Sequence, residues 1–193
     1  VQVSNATLHN EDEIMRKDVR VGDTVVVERA GDVIPHILAV DVGKRPKKSI
    51  KFIFPKNCPS CGSKTTKEYN EITKKNDAVR RCTSEGYECE KISIEKLKHF
   101  VSKEAFNIDG LGKKIIENFW KLKLIRLPQD IFRLDYDKIE SLEGWGKLSV
   151  ENLKYSINEK KNIPLERLIY ALGIRHIGLE NAKLLSKFFK TFS

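Results

Sequence analysis

Ile108-Asp109-Gly110-Leu111-Gly112-Lys113-Lys114-Ile115-Ile116 recurs twice more in the same chain, in looser form each time. The second copy is Leu142-Glu143-Gly144-Trp145-Gly146-Lys147-Leu148-Ser149-Val150. The third is Ile174-Arg175-His176-Ile177-Gly178-Leu179-Glu180-Asn181-Ala182. Each runs apolar, any residue, Gly or its substitute, apolar, Gly, and then an amphipathic helix. Helical text also precedes each copy. The repeated unit therefore reads as helix, tight hairpin, helix, and internal repetition of this kind sets an architecture.

The glycines carry the chemistry. Gly permits positive φ and lets a backbone come close to another molecule. The second helix of each unit starts right after the second Gly, so its unpaired N–H groups point outward from a positive dipole end. That is an anion site, and Lys113 and Lys147 add charge at its mouth. The intervening Leu111, Trp145 or Ile177 is expected to plug the gap between the helices. Such a unit binds phosphates without reading bases. One Gly-x-Gly could be only a short turn; three copies at comparable spacing favour phosphate binding. The third departs, with His176 in place of the first Gly.

Upstream stand four cysteines: Cys58, Cys61, Cys82 and Cys89. An even count allows two disulfides in a secreted protein. The Cys58-Pro59-Ser60-Cys61-Gly62 knuckle points instead to metal in a reducing compartment. Four thiolates suit a closed, structural, tetrahedral zinc site, although the Cys82–Cys89 gap is wide for such a pair. Arg80 and Arg81 are expected to offset the excess negative charge. His99 reads as an ordinary helix residue.

The first fifty or so residues read mostly as strand. Asn10 has the form of an N-cap before an acidic first turn. Gly22-Asp23 is a turn signal ahead of the β-branched run Thr24–Arg29, and Ala30-Gly31-Asp32 turns the chain back into Val33–Val40. Pro35 belongs at an edge or bulge, Lys44–Lys48 is a basic turn, and Ile50–Phe54 reads as another short strand. The fold class expected is multi-domain α+β. It comprises a half-complete small β-barrel over 1–54, a small four-cysteine zinc module over 55–91, and an all-α tandem hairpin domain over 92–193.

Bulk properties agree. The chain has 193 residues, and 36 Lys+Arg against 27 Asp+Glu leave a net charge of +9, which suits a polyanion partner. Its apolar runs are too short to cross a bilayer, and no charged-then-apolar leader opens it. Both ends are expected to be cuts through a longer polypeptide.

Taken together these residues resemble the NAD-dependent DNA ligases of bacteria. Val3-Ser4-Asn5-Ala6-Thr7-Leu8-His9-Asn10 and Arg29-Ala30-Gly31-Asp32-Val33-Ile34-Pro35 look like stretches of that family's oligonucleotide-binding (OB) barrel, which makes 1–54 a partial OB-fold. The cysteines look like its zinc module, and Leu97–Ser102 like the junction into its helix-hairpin-helix domain. The resemblance implies a cytoplasmic, monomeric bacterial enzyme of DNA replication and repair, at work on the nucleoid, with no membrane partner. It seals nicked double-stranded DNA through an adenylated lysine, with NAD and magnesium bound outside this chain. By position it makes Arg29, Val33 and Ile34 candidates for barrel–DNA contact, and Gly110, Gly112, Lys113, Gly144, Gly146, Lys147 and Gly178 candidates for hairpin–DNA contact. The nucleophilic Lys-x-Asp-Gly motif is absent. Asn107-Ile108-Asp109-Gly110 mimics it, but Asn cannot form the phosphoramidate. No catalytic residue is expected here, and the chain alone should not seal DNA. The competing readings are a non-enzymatic hairpin scaffold of repair or recombination and a zinc-bearing RNA-binding module.

Overall fold

A computed structural model describes residues 2–29 and 34–190. The chain divides into two compact units, Val1–Ser84 and Glu85–Ser193.

In the first unit Asn10 caps helix α1 (Glu11–Lys17), its Oδ1 accepting the Glu13 N–H at 3.0 Å. The helix ends on Asp18, in the left-handed region at φ 47°. Strands β1 (Val25–Glu28) and β2 (His36–Val40) pair antiparallel, with an irregularity between Val26 and Val27. Pro35 stands just before β2. Its carbonyl accepts the Thr7 N–H at 2.7 Å, and Thr7 bridges His36 in the parallel sense. Residues 50–54 form no strand, contrary to the expectation from their apolar text. Ile50 and Ile53 are largely exposed, and β-propensity yields no strand without a partner edge. Strands β3 (Thr65–Asn70) and β4 (Lys75–Cys82) make a second antiparallel hairpin. Asn70 Oδ1 caps its tight turn by accepting the Ile72 and Thr73 N–H groups.

Among the described residues the buried apolar core begins at Cys89, so none of it lies in the first unit. Polar clamps hold that unit instead. Arg45 reaches Asp23 (2.9 Å) and Asp18 (2.7 Å), and Arg20 joins Asp18 from the other side. Arg20 and then Arg45 hold the Asp18 carboxyl down at about 2, and Arg45 holds Asp23 below its usual range. These carboxyls are depressed in the fold. Their stabilisation is therefore complete above the ordinary aspartate range near pH 4 and is lost as pH falls toward about 2. Arg45→Met is expected to move the acid-unfolding midpoint of this unit upward, as followed by amide NMR. An unchanged midpoint would show that the clamp carries no linkage.

The second unit is helical. It contains α2 (Glu90–Phe100), α3 (Lys113–Lys121), a 3-10 turn at Pro128–Arg133, α4 (Tyr136–Glu140), α5 (Lys147–Glu159), α6 (Leu165–Ala171) and α7 (Leu179–Phe189). Pro164 occupies the N-cap of α6, one place ahead of the first-turn position its sequence favours. Apolar positions three and four apart bury one face of α2, α3 and α5, whereas α6 and α7 bury only Ala171 and Ala182. Leu97, Ile116, Phe119, Ile139, Leu153 and Ile157 are all essentially inaccessible to solvent. Phe100, Phe106 and Phe132 form an aromatic cluster, with the Phe100 and Phe106 rings stacked at 4.2 Å. The His99 Nε2–H donates to the Tyr170 carbonyl, 2.7 Å away, and so ties α2 to the end of α6 as a packing residue.

Candidate nucleic-acid interface and metal centre

Helices flank each repeat: α2 and α3 stand on either side of residues 101–112, α4 and α5 of 141–146, and α6 and α7 of 172–178. The two glycines of a repeat do different work. The first sits at positive φ, +88° at Gly110 and +82° at Gly144, and His176 adopts +66° at the matching position. The turn therefore needs the left-handed region in all three copies, and the third obtains it from a residue with a side chain, at some strain. The second glycine is different. Gly112, Gly146 and Gly178 are helix N-caps in extended conformations that any residue adopts. A Cβ built on any of them meets nothing within 4 Å. Neither backbone geometry nor internal packing requires glycine there.

The plugs are graded. Leu111 is buried, and Trp145 is half-buried with its ring 5.5 Å from that of Phe119. Ile177 is half-buried and lines a cavity of about 600 Å³ beside His99 and Gly173. Lys113 and Lys147 are exposed in the first turns of α3 and α5, which contain no acidic residue. The α7 helix instead begins Leu179-Glu180, with a carboxylate in its first turn that pairs with Lys183 at 2.8 Å. Reading only the glycines misses this signal, although it is written in the sequence. At the second hairpin Ser149 Oγ accepts the Gly146 N–H at 2.9 Å. The Asp109-Gly110 pair that mimics a nucleophile motif is hairpin turn, with the Asp109 N–H on Ser156 Oγ at 2.8 Å.

The sulfurs of Cys58, Cys61, Cys82 and Cys89 all lie within 4.8 Å of one another, and no disulfide joins them. The Cys61 and Cys82 sulfurs are 3.5 Å apart. A tetrahedron with Zn–S near 2.3 Å has edges of about 3.8 Å, so the donor set fits zinc. The knuckle is shaped by Gly62 at φ +76°, whose N–H donates to the Cys58 carbonyl at 2.9 Å. Hydrogen bonds from Ser63 lower the Cys61 thiol to about 6. At Cys82 the Ser84 N–H favours the thiolate. Desolvation and the crowding of Cys61 and Cys58 outweigh it and push the thiol up to about 12. Four crowded sulfurs resist ionising together unless a cation sits among them. Arg80 and Arg81 do not provide that charge. Arg80 pairs with Glu11 at 3.0 Å and Arg81 with Asp77.

Of the barrel candidates, Arg29 lies exposed just past β1, and Ile34 is exposed before β2. Val33 lies outside the described residues. No described helix is long and apolar enough to cross a membrane.

Residues 1–49 match the family described as the NAD-dependent DNA ligase OB-fold domain. The whole chain aligns with proteins named DNA ligase. It is 75% identical over 193 residues to that of Pelagibacter ubique (strain HTCC1062), covering 100% of this chain and 29% of the relative. It is 50% identical over 199 residues to that of Paramagnetospirillum magneticum (strain ATCC 700264 / AMB-1), covering 100% and 27%. It is 49% identical over 197 residues to that of Xanthobacter autotrophicus (strain ATCC BAA-1158 / Py2), covering 99% and 27%. The similarity to those relatives runs the full length of this chain. The chain spans less than a third of the length of those curated relatives.

Proposed function

We propose that this chain is the DNA-gripping portion of an NAD-dependent DNA ligase, holding the phosphate backbone of nicked duplex while the chemistry occurs elsewhere in the parent enzyme. Three parts share the work: a partial barrel over 1–54, a zinc module over 55–91 and a helix-hairpin-helix domain over 92–193. The observation that carries the reading is the open second glycine. Gly112 and Gly146 carry no strain and a Cβ there would meet nothing, so the space before each helix start is open to a ligand. A phosphate oxygen at a helix N-terminus is such a ligand. Lys113 and Lys147 supply the charge. Gly178 belongs to the weakest of the three grips, since Glu180 opposes an anion there. Arg29, Val33 and Ile34 are the proposed barrel contacts.

The four cysteines would hold zinc as a closed structural site. The ion would supply only a crosslink, since four protein ligands leave no position for substrate. NAD and magnesium would bind outside this chain. The parent would act in the bacterial cytoplasm as a monomer.

Phosphate contacts release counterions, so affinity must fall with salt. Two hairpins gripping about two phosphates each predict a slope of log K on log salt near about −4. Titration of the 193-residue chain with nicked duplex, intact duplex and single strands tests this. Duplex preference with a steep salt slope is the expected outcome. Preference for single strands would favour the RNA-module reading, and a salt-insensitive affinity would remove the phosphate grip altogether. Incubation with NAD, magnesium and nicked DNA should give no sealing.

A further inference from the structure

The first hairpin has a second wall. A cleft of about 320 Å³ runs between Asn107–Lys113 on one side and Lys98, Val101, Ser102 and Lys103 on the other. That second wall is the turn that follows α2, and its own backbone bonds stabilise it incompletely. Ala105 N–H reaches the Ser102 carbonyl at 3.0 Å, and Asn107 N–H reaches the same carbonyl at 2.9 Å. The carbonyls of Lys103 and Ala105 are met from a distance in sequence. The Arg167 guanidinium, from α6, donates Nε–H to the Ala105 carbonyl at 2.7 Å and a terminal N–H to the Lys103 carbonyl. A planar fork that spans two carbonyls of one turn fixes its orientation as a single ammonium cannot. Ala105 itself is fully buried, so its carbonyl has little water to fall back on.

We infer that Arg167 is a positioning residue for the first hairpin: it holds the Ser102–Ala105 turn so that Lys103 faces the same cleft as Gly110, Gly112 and Lys113. This rests on the phosphate-gripping reading above. Arg167 touches no DNA in this scheme; it acts through the wall it braces. Lys103 is exposed, and no ion pair is recorded for it among the described residues, so its charge is available to a backbone phosphate.

The test is a double-mutant cycle on the full chain, read as affinity for nicked duplex at several salt concentrations and corrected for the folded fraction. Lys103→Ala is expected to weaken binding and reduce the salt slope by about one, because it removes a phosphate contact. Arg167→Ala is expected to weaken binding about fivefold and to lose part of the same unit of slope, and to add little to either loss on top of Lys103→Ala, since both act on one wall. Arg167→Lys keeps one donor and should fall between. It also serves if Arg167→Ala fails to fold. Additive effects, wild-type affinity in the folded Arg167 variants, or a further slope loss of about one from Arg167→Ala in the Lys103→Ala background would each overturn the inference. If the unaltered chain binds no duplex, the underlying reading fails first and takes this one with it.

Discussion

Purified under reducing conditions, the chain should contain one zinc per molecule, and Cys61→Ser should lose most of it. Structural zinc sites of four ligands contribute about 10–16 kcal/mol of apparent binding energy, so one ligand accounts for about 3 kcal/mol, or roughly a hundredfold in affinity. The consequence here should exceed that of an ordinary surface change. The β3–β4 hairpin has no buried apolar residue to hold it, and its strands expose Tyr69 and Val79. A small polar module of this kind needs a staple. Metal analysis by mass spectrometry gives the stoichiometry, and amide NMR of residues 58–82 gives the structural result. Loss of dispersion in those resonances on chelation is expected, while the helical residues from α3 onward keep theirs. A chain that binds no zinc, or keeps the hairpin intact without it, would leave the four cysteines without a structural role.

Alanine at the two kinds of glycine should separate stability from binding. Gly110→Ala forces a side chain into φ +88° and brings a Cβ within 3.3 Å of Leu153 Cδ1. Strain of this type costs about 1–3 kcal/mol. Each kcal/mol shifts the Tm of a unit this size by about 4–8 °C. Gly112→Ala meets no strain and no neighbour, and should stay within about 1 kcal/mol of the parent chain as an N-cap change. Its effect should fall on DNA, with affinity down about tenfold because a methyl occupies the approach of the phosphate. The only two tryptophans, Trp120 and Trp145, lie in the helical unit, so fluorescence melting reports the stability half directly. Anisotropy with a labelled nicked duplex reports the other half. A Gly112→Ala chain that melts and binds like the parent would mean that the hairpins are packing turns only.

The sequence already contained much of this. Four soft ligands with a Cys-x-x-Cys knuckle announce a tetrahedral site, because ligand chemistry depends on residue type more than on packing. Two Gly-x-Gly turns and one His-x-Gly turn, each followed by a 3.6-residue apolar period, announce three helix–turn–helix repeats, because positive φ and amphipathic spacing are local properties. Leu179-Glu180 was equally legible as a flaw in the third copy, had the residues after the glycine been weighed alongside it.

Other features required contacts between residues far apart in the chain. Ile50–Phe54 has strand composition and no partner, so pairing rather than propensity decided its state. Arg80 and Arg81 stand beside a zinc ligand in sequence, yet Glu11 and Asp77 claim them in space. Gly110 and Gly112 look alike as text. One is strained and packed against Leu153 while the other opens on solvent, and only the folded backbone separates the glycine that the fold requires from the one that it leaves open. Arg167 lies more than sixty residues from the turn it braces, and no local pattern marks it. Residue chemistry and short-range periodicity thus set the elements and the ligand set. The three-dimensional packing alone decided which charges are already spent inside the protein and which remain open at its surface.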